Sequence, residues 1–512
     1  MNYKRRIIIL IAISAAARII IASTAELSND EVYYWTYAQH LQWNYFDHPP
    51  LVGWLIRLTT ANLLLHNELF VRLGAIISSA VCTWLMFKIG TFINNTQTGW
   101  FSALLYTSSI YAGIIAGTFI LPDSPQMFFW LAGILLLLKI SYLPAYNSKS
   151  NLLWCLFGIV AGLCIMSKVH GIFLWLGAGL YVLFIHPKWL KHPGVYISAV
   201  ITLVIISPVI IWNIQNHFVS YTFHGSRVSI NGAEIHADGF ARELAGEIFY
   251  NNPVNFFLIC INIFAAIKGK LPVDKKDVFI LLFCSLPLIL VLLFVSLFRE
   301  TLPHWSGPAY CALLILPAIK LASVSNKNVL KIPGIIKAAL AFIIILAAAG
   351  ICIINFYPGT LSQQKQGLQT GSGDVTLDMY GWEDAGKKFD SLYKSDAANK
   401  IMPVGAPIII NKWFPAAHID FYIATITKQQ TVGIGNIFDL HQYYWSNKYK
   451  KKLNNGDAAY FIVPSNMYNN KALIEISNNF KYHETHVVLS QLRNGILCKQ
   501  LYVLRLKGYC GK

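Results

Sequence analysis

Charge is what this 512-residue chain has least of: 13% of its residues are Asp, Glu, Lys or Arg, about half the share found in soluble domains. That scarcity, beside 55% hydrophobic residues, excludes a purely water-soluble protein and points to a chain solvated by a lipid bilayer. Acidic residues are the scarcer sign, 24 against 41 Lys and Arg, for a formal net charge of +17. A nucleic-acid binder with that charge would gather its basic residues on a polar surface. Here they fall mostly in short links between apolar runs, so nucleic acid is excluded as a partner. Metal-type cysteine spacing is also missing. Cys82, Cys155, Cys164, Cys260, Cys284, Cys311 and Cys352 lie inside apolar runs and read as small buried hydrophobes. Cys498 and Cys510 stand in polar sequence; they form a candidate disulfide if that part meets an oxidising compartment, and two separate thiols otherwise. No repeat of fixed period is visible. No small-residue cleavage site follows the opening Lys4-Arg5-Arg6 and its apolar stretch, so that stretch is expected to be an uncleaved first helix.

What is present is a succession of apolar runs near the ~20 residues that a membrane helix needs. They lie at 7–25, 69–92, 100–118, 124–143, 152–166, 170–186, 194–213, 254–268, 277–298, 305–321 and 334–355. The expected fold class is an α-helical polytopic membrane protein of about eleven transmembrane helices. The basic residues sort by link. Lys88, Lys139, Lys149, Lys188, Lys191, Lys268, Lys270, Lys275, Lys276, Lys320, Lys327, Lys331 and Lys337 share one side, while the other carries fewer: Arg57, Arg72, Lys168, Arg227, Arg242 and Arg299. By the positive-inside rule this makes the N-terminus cytoplasmic and everything after the last helix extracytoplasmic, in a plasma (inner) membrane. Residues 1–356 are therefore expected to form a transmembrane domain with an amphipathic first outer loop at about 26–68. Residues 357–512 are expected to form a small extracytoplasmic α/β domain. It has strand-like runs at 406–410, 459–463, 486–489 and 501–506, and helical patterns at 382–393 and 470–480.

The same topology gathers Asp30, Glu31, Asp47, His48, Asp123, Lys168, Arg227, Arg299 and His304 on the outer side, mostly in short links or at helix ends. Ionisable groups at such places are costly without a purpose, and their convergence points to one site. Each has a plainer reading. Ser28 to Glu31 fits a helix cap, Pro49-Pro50 a helix stop and Asp123 an N-cap. Lys168 fits a snorkelling side chain, and Arg227 a solvated loop residue.

Five elements occur in order over roughly 300 residues. An Asp30-Glu31 pair with tyrosines follows the first helix, and Asp47-His48-Pro49-Pro50-Leu51 comes next. Leu121-Pro122-Asp123-Ser124-Pro125, Ser167-Lys168-Val169-His170-Gly171 and Arg299-Glu300-Thr301-Leu302-Pro303-His304-Trp305 complete the series. Together they resemble the bacterial branch of the C-type glycosyltransferases, the group with protein O-mannosyltransferases and lipid A aminoarabinose transferases. The resemblance implies a C-type glycosyltransferase fold. It implies a polyprenyl-phosphate-linked sugar as donor and transfer, with inversion, to a glycan, lipid or protein acceptor of the envelope. It makes Asp30 the general base and Asp123 the second catalytic acid. Lys168, Arg227 and Arg299 become cations for the donor phosphate, with His304 and His48 as further donors and Glu31 and Asp47 in support. Asp47 is also the place for a divalent metal ion, although no ligand cluster demands one and no other cofactor is implied. The aminoarabinose branch has Glu-Lys where this chain has Asp47-His48, which leaves the sugar open. The competing reading is a transporter or lipid flippase, but internal repeats and mid-bilayer charges are not seen. An outer-leaflet polymerase or ligase fits less well, because those proteins centre on a large middle loop.

Overall fold

A computed structural model describes residues 3–144, 148–230, 234–325 and 331–511. It resolves into two compact units: Met1–Ile21 with Leu41–Ala347, and Ala22–His40 with Ala348–Lys512.

The first unit is helical and its apolar helices define a multi-pass membrane protein. Among the described residues, eight helices are long and apolar enough to cross a bilayer: Tyr3–Thr24, Glu68–Ile93, Asp123–Ser141, Ser148–Ser167, Pro193–Gln215, Lys275–Ser296, Pro303–Val324 and Gly334–Phe356. A ninth results if Ala237–Tyr250 and Pro253–Ile267, which meet at 103°, count as one span. The expected eleven is not reached, for local reasons. The run at 100–118 breaks where Ser109 turns extended after the Thr96–Ser108 helix, and it resumes as a π-helical turn at Tyr111–Ile115. The run at 170–186 yields only a short apolar helix, Val169–Phe184. The run at 254–268 is 15 residues of helix bent sharply away from its predecessor.

Close packing of these helices rests on small residues, as in other membrane bundles. A side chain on Gly158 of the Ser148–Ser167 helix would collide with the carbonyl of Ser198 in the Pro193–Gln215 helix. The buried core joins Trp130, Trp154, Phe157, Leu174, Leu281 and Leu316, drawn from five helical segments.

The second unit is built on a sheet of β1 (Ile408–Ile410), β2 (Thr431–Gly433), β3 (Ala459–Pro464), β4 (Phe480–His483), β5 (Val487–Arg493) and β6 (Ile496–Tyr509). The order is β2-β1-β3-β6-β4, with β5 also paired to β6. β1 is parallel to β2 and β3, while β6 is antiparallel to β3, β4 and β5. The turn from β5 to β6 is Asn494-Gly495, both at positive φ (49° and 77°), the two-residue hairpin that this dipeptide favours. Arg493 beside it is fully buried. Its guanidinium bonds the carbonyls of Gly359 (2.8 Å) and Ile354 (3.1 Å) and pairs with Asp374 at 3.3 Å. Cys498 and Cys510 are separate thiols. They stand toward opposite ends of β6, and at about 3.3 Å per residue they are several times too far apart for a disulfide.

The Asn29–Gln39 helix groups with this sheet unit. Its side chains Val32, Tyr33, Tyr34, Trp35 and Tyr37 are buried, and the Tyr33 ring lies 4.8 Å from that of Trp413.

Candidate active site

In the first unit, Asp123 is the opening residue of the Asp123–Ser141 helix, following Pro122, where the helix N-terminus favours negative charge. Lys168 sits where the Ser148–Ser167 helix stops. Its own backbone is extended (φ −157°, ψ 140°), and a short 3₁₀ turn, Val169–Gly171, follows. A side chain on Gly171 would press into the backbone at Cys164, so the tight turn suits glycine. The break aims the Lys168 ammonium at Asp123, with Nζ 3.0 Å from Oδ1 and 2.8 Å from Oδ2. The Tyr111 hydroxyl, from the π-helical turn, donates to Asp123 Oδ1 at 2.9 Å. Both charged side chains are nearly sealed from solvent, at 3% and 2% exposure. Among the described residues the ammonium makes these two bonds, which leaves its third N–H to aim elsewhere.

Around this centre the first unit places most of the other predicted residues. Arg227, in the Val219–Val228 helix, lies 5.1 Å above the Trp305 ring and 5.6 Å from that of Phe223. Among the described residues it has no carboxylate partner, so its charge is uncompensated where that of Lys168 is neutralised. His48 and His224 have ring centroids 5.7 Å apart. The His224 Nε2–H donates to the Asp47 carbonyl at 2.5 Å; a carbonyl only accepts, so Nε2 must carry the proton. Burial, reinforced by His224, Lys168, His170 and Arg227, pushes the His48 imidazole well below its ordinary range. At neutral pH it is therefore a polar neutral donor or acceptor and not a cation. His304 lies in the fields of Lys168, Asp123 and Arg227, and the His170 ring is 5.5 Å from that of Trp305.

Two predicted residues are placed differently. Arg299 donates from Nε to the Ser229 carbonyl at 2.6 Å, and among the described residues no bond joins it to Asp123, Lys168 or Arg227. Asp47 enters the cluster through its backbone. Among the described residues no three His, Cys, Asp or Glu side chains gather as metal ligands. Sequence reasoning named the motifs holding His170 and Trp305 without giving them roles, and it missed Tyr111. Tyr111 had no local signal, because only the helix break before it turns its hydroxyl toward Asp123.

Asp30 and Glu31 belong to the second unit. Asp30 is exposed, at the second position of the Asn29–Gln39 helix. Glu31 is fully buried, and its carboxylate accepts from the Ser28 N–H (2.9 Å) and hydroxyl (3.0 Å), which makes it the helix-capping residue. Nearby in this unit, Lys499 of β6 is sealed from solvent and donates to the Leu377 carbonyl at 3.0 Å. Burial pulls its pKa down to about 8, against the raising effect of Glu26, from an ordinary 10.5. Between those values the unfolded chain holds a proton that the fold does not, so the stability of this unit should rise with pH. The expected gain is on the order of 3 kcal/mol over the window. Thermal unfolding followed across that window should show the rise in the natural chain and its absence in Lys499→Met.

The chain is similar in sequence and in fold to known proteins. Residues 47–212 match the family described as dolichyl-phosphate-mannose-protein mannosyltransferase. Lipid A galacturonosyltransferase RgtD of Rhizobium johnstonii is 26% identical over 296 residues, 56% of this chain and 59% of that protein. The match thus spans about three fifths of that relative's length. ArnT from Cupriavidus metallidurans in the apo state aligns with a TM-score of 0.62 at 14% identity, over 98% of both chains. The same protein bound to undecaprenyl phosphate aligns at 0.61, also at 14% identity, over 97% of both. The chain has the C-type glycosyltransferase fold. The family match takes in Asp47, His48, Asp123 and Lys168, so the buried ion pair lies inside the matched segment.

Proposed function

We propose that this protein moves a sugar from a polyprenyl-phosphate donor to an acceptor of the cell envelope, with inversion, on the extracytoplasmic face of the membrane. The observation that carries this reading is the sealed Asp123–Lys168–Tyr111 centre, set beside an Arg227 with no carboxylate partner among the described residues. A departing lipid phosphate needs positive charge, and Arg227 supplies a planar fork that suits two phosphate oxygens. Lys168 adds its remaining N–H, while Asp123 fixes its position and keeps the pocket from excess charge. His48, neutral at physiological pH, and His304 supply hydrogen bonds, and Arg299 is a reserve cation once it releases Ser229. Asp30 takes the proton of the acceptor hydroxyl. The acceptor oxygen then bonds to the anomeric carbon from the face opposite the phosphate, the carbon–oxygen bond to phosphate breaks, and the lipid phosphate departs with the electron pair.

Similarity to RgtD favours a lipid A type of acceptor, and the ArnT complex with undecaprenyl phosphate supports the donor class. The sugar is a hexose, uronic acid or aminosugar of that lipid-linked kind. The test is reconstitution in liposomes with undecaprenyl-phosphate sugars offered singly, beside lipid A or a peptide acceptor. One donor is expected to yield a glycosylated acceptor of inverted anomeric configuration, with one undecaprenyl phosphate released per sugar transferred. Uptake driven by an ion gradient, with no glycan formed, would establish a transporter instead.

A further inference from the structure

Within the second unit, three of the four residues before Asp30 are held from outside their own segment with unusual completeness. The Glu26 carboxylate accepts from the N–H groups of Trp382 (2.8 Å) and Glu383 (2.9 Å), at the start of the Trp382–Ala398 helix, where a negative charge is favoured. The Leu27 N–H donates to the Tyr422 hydroxyl at 2.7 Å. Asn29 is gripped at both ends of its carboxamide. Its Nδ2 donates to Asp378 Oδ2 at 2.8 Å, and its Oδ1 lies 2.8 Å from His418 Nε2. Asp378 only accepts when ionised, which fixes the amide orientation, so His418 must donate from Nε2. His418 is itself immobilised. It is fully buried and stacked on Trp382 at 4.3 Å with an interplanar angle of 4°, and Lys499 Nζ lies 3.9 Å from the centroid of the same indole. The next residue along the chain, Asp30, stays exposed.

A helix cap explains Ser28 and Glu31, but it asks nothing of Asn29. A first-turn residue has no need of a buried, aromatic-stacked histidine and a carboxylate to hold its side chain. Such a clamp does suit a neighbour whose carboxylate must stand at a fixed place. We infer that Asn29, held by His418 and Asp378, is a positioning residue through which the C-terminal sheet unit sets the location of Asp30. This rests on the reading of Asp30 as general base. The C-terminal unit thereby becomes part of the catalytic apparatus through positioning, beyond any part in receiving the acceptor.

The test uses the full chain in liposomes, with the undecaprenyl-phosphate sugar that supports transfer. Displacing a reacting group by about 1 Å costs on the order of 10²-fold, so Asn29→Leu and His418→Leu are each expected to lower kcat by about that factor. Donor KM should stay within about twofold, because the clamp touches no donor group. The double variant should be no worse than the poorer single one, since both remove the same contact. His418→Gln keeps an N–H donor and should remain within about fivefold of the natural chain. Wild-type kcat in both leucine variants, with Asp30→Asn inactive, would overturn the clamp and leave the base assignment standing. Full activity in Asp30→Asn would remove the base assignment and the clamp with it. His418→Gln as defective as His418→Leu would show that the hydrogen bond is not what matters. Should Asn29→Leu fail to fold, the two His418 variants alone decide.

Discussion

Lys168→Met is expected to abolish sugar transfer and to destabilise the fold by about 3–5 kcal/mol, because it leaves the Asp123 carboxylate buried without its counter-charge. Asp123→Leu should destabilise by a similar amount for the mirror-image reason. The informative variant is the double one. When both charges are replaced by apolar groups of similar size, buried pairs are often neutral or even more stable by about 1–4 kcal/mol. Asp123→Leu with Lys168→Met should therefore recover the thermal unfolding midpoint of the natural chain. It should not recover transfer. Stability and chemistry separate because the bilayer-side core asks only that charge be balanced, whereas the donor phosphate asks for an ammonium at that place. Transfer regained along with stability would reduce the pair to a structural feature and move the phosphate site elsewhere.

Asp30→Asn is expected to lower kcat by on the order of 10²–10⁴-fold, the usual contribution of a positioned base, with donor KM unchanged. In contrast to the buried pair, it should leave the unfolding midpoint within about 0.5 kcal/mol, since the residue is exposed and Asn keeps nearly the same shape. Asp30→Glu retains the carboxylate but displaces it by one methylene, and it should fall between the two. The paired measurement of kcat and midpoint distinguishes a base from a cap. A cap variant would lose about 1 kcal/mol of stability and leave turnover alone. Wild-type turnover in Asp30→Asn would remove this residue from the mechanism.

Much of the architecture is legible in the sequence because hydropathy reports directly on the bilayer. The runs at 69–92 and 334–355 appear as the helices Glu68–Ile93 and Gly334–Phe356, almost residue for residue. What hydropathy does not register is a break inside an apolar stretch. Ser109 sits amid residues suited to lipid, and only its packing turns the helix there. In the sheet unit, β3 and β6 are long and apolar enough to be read in advance. β2 (Thr431–Gly433) and β4 (Phe480–His483) are short, and their strand character comes from the partners they pair with. The chemistry shows the same division. Asp123 and Lys168 were findable because a charge beside an apolar run is conspicuous, and the structure joins them. Arg299 was just as conspicuous, yet it is spent on the Ser229 carbonyl. Tyr111 and His418 look like ordinary aromatic residues in sequence, and their partners lie 12 and 389 residues away.

The grouping of residues 22–40 with residues beyond 347 has a bearing on biogenesis. Some three hundred residues, mostly membrane sequence, emerge between the segment bearing Asp30 and the sheet that receives it. Until then Tyr33, Trp35 and Tyr37 have no interior to enter, and the carboxylate has no fixed address. A nascent or prematurely terminated chain would carry the Asp123–Lys168 pair while lacking the residues that hold Asn29. The sheet unit is thus completed only after the membrane helices that separate its two parts along the chain.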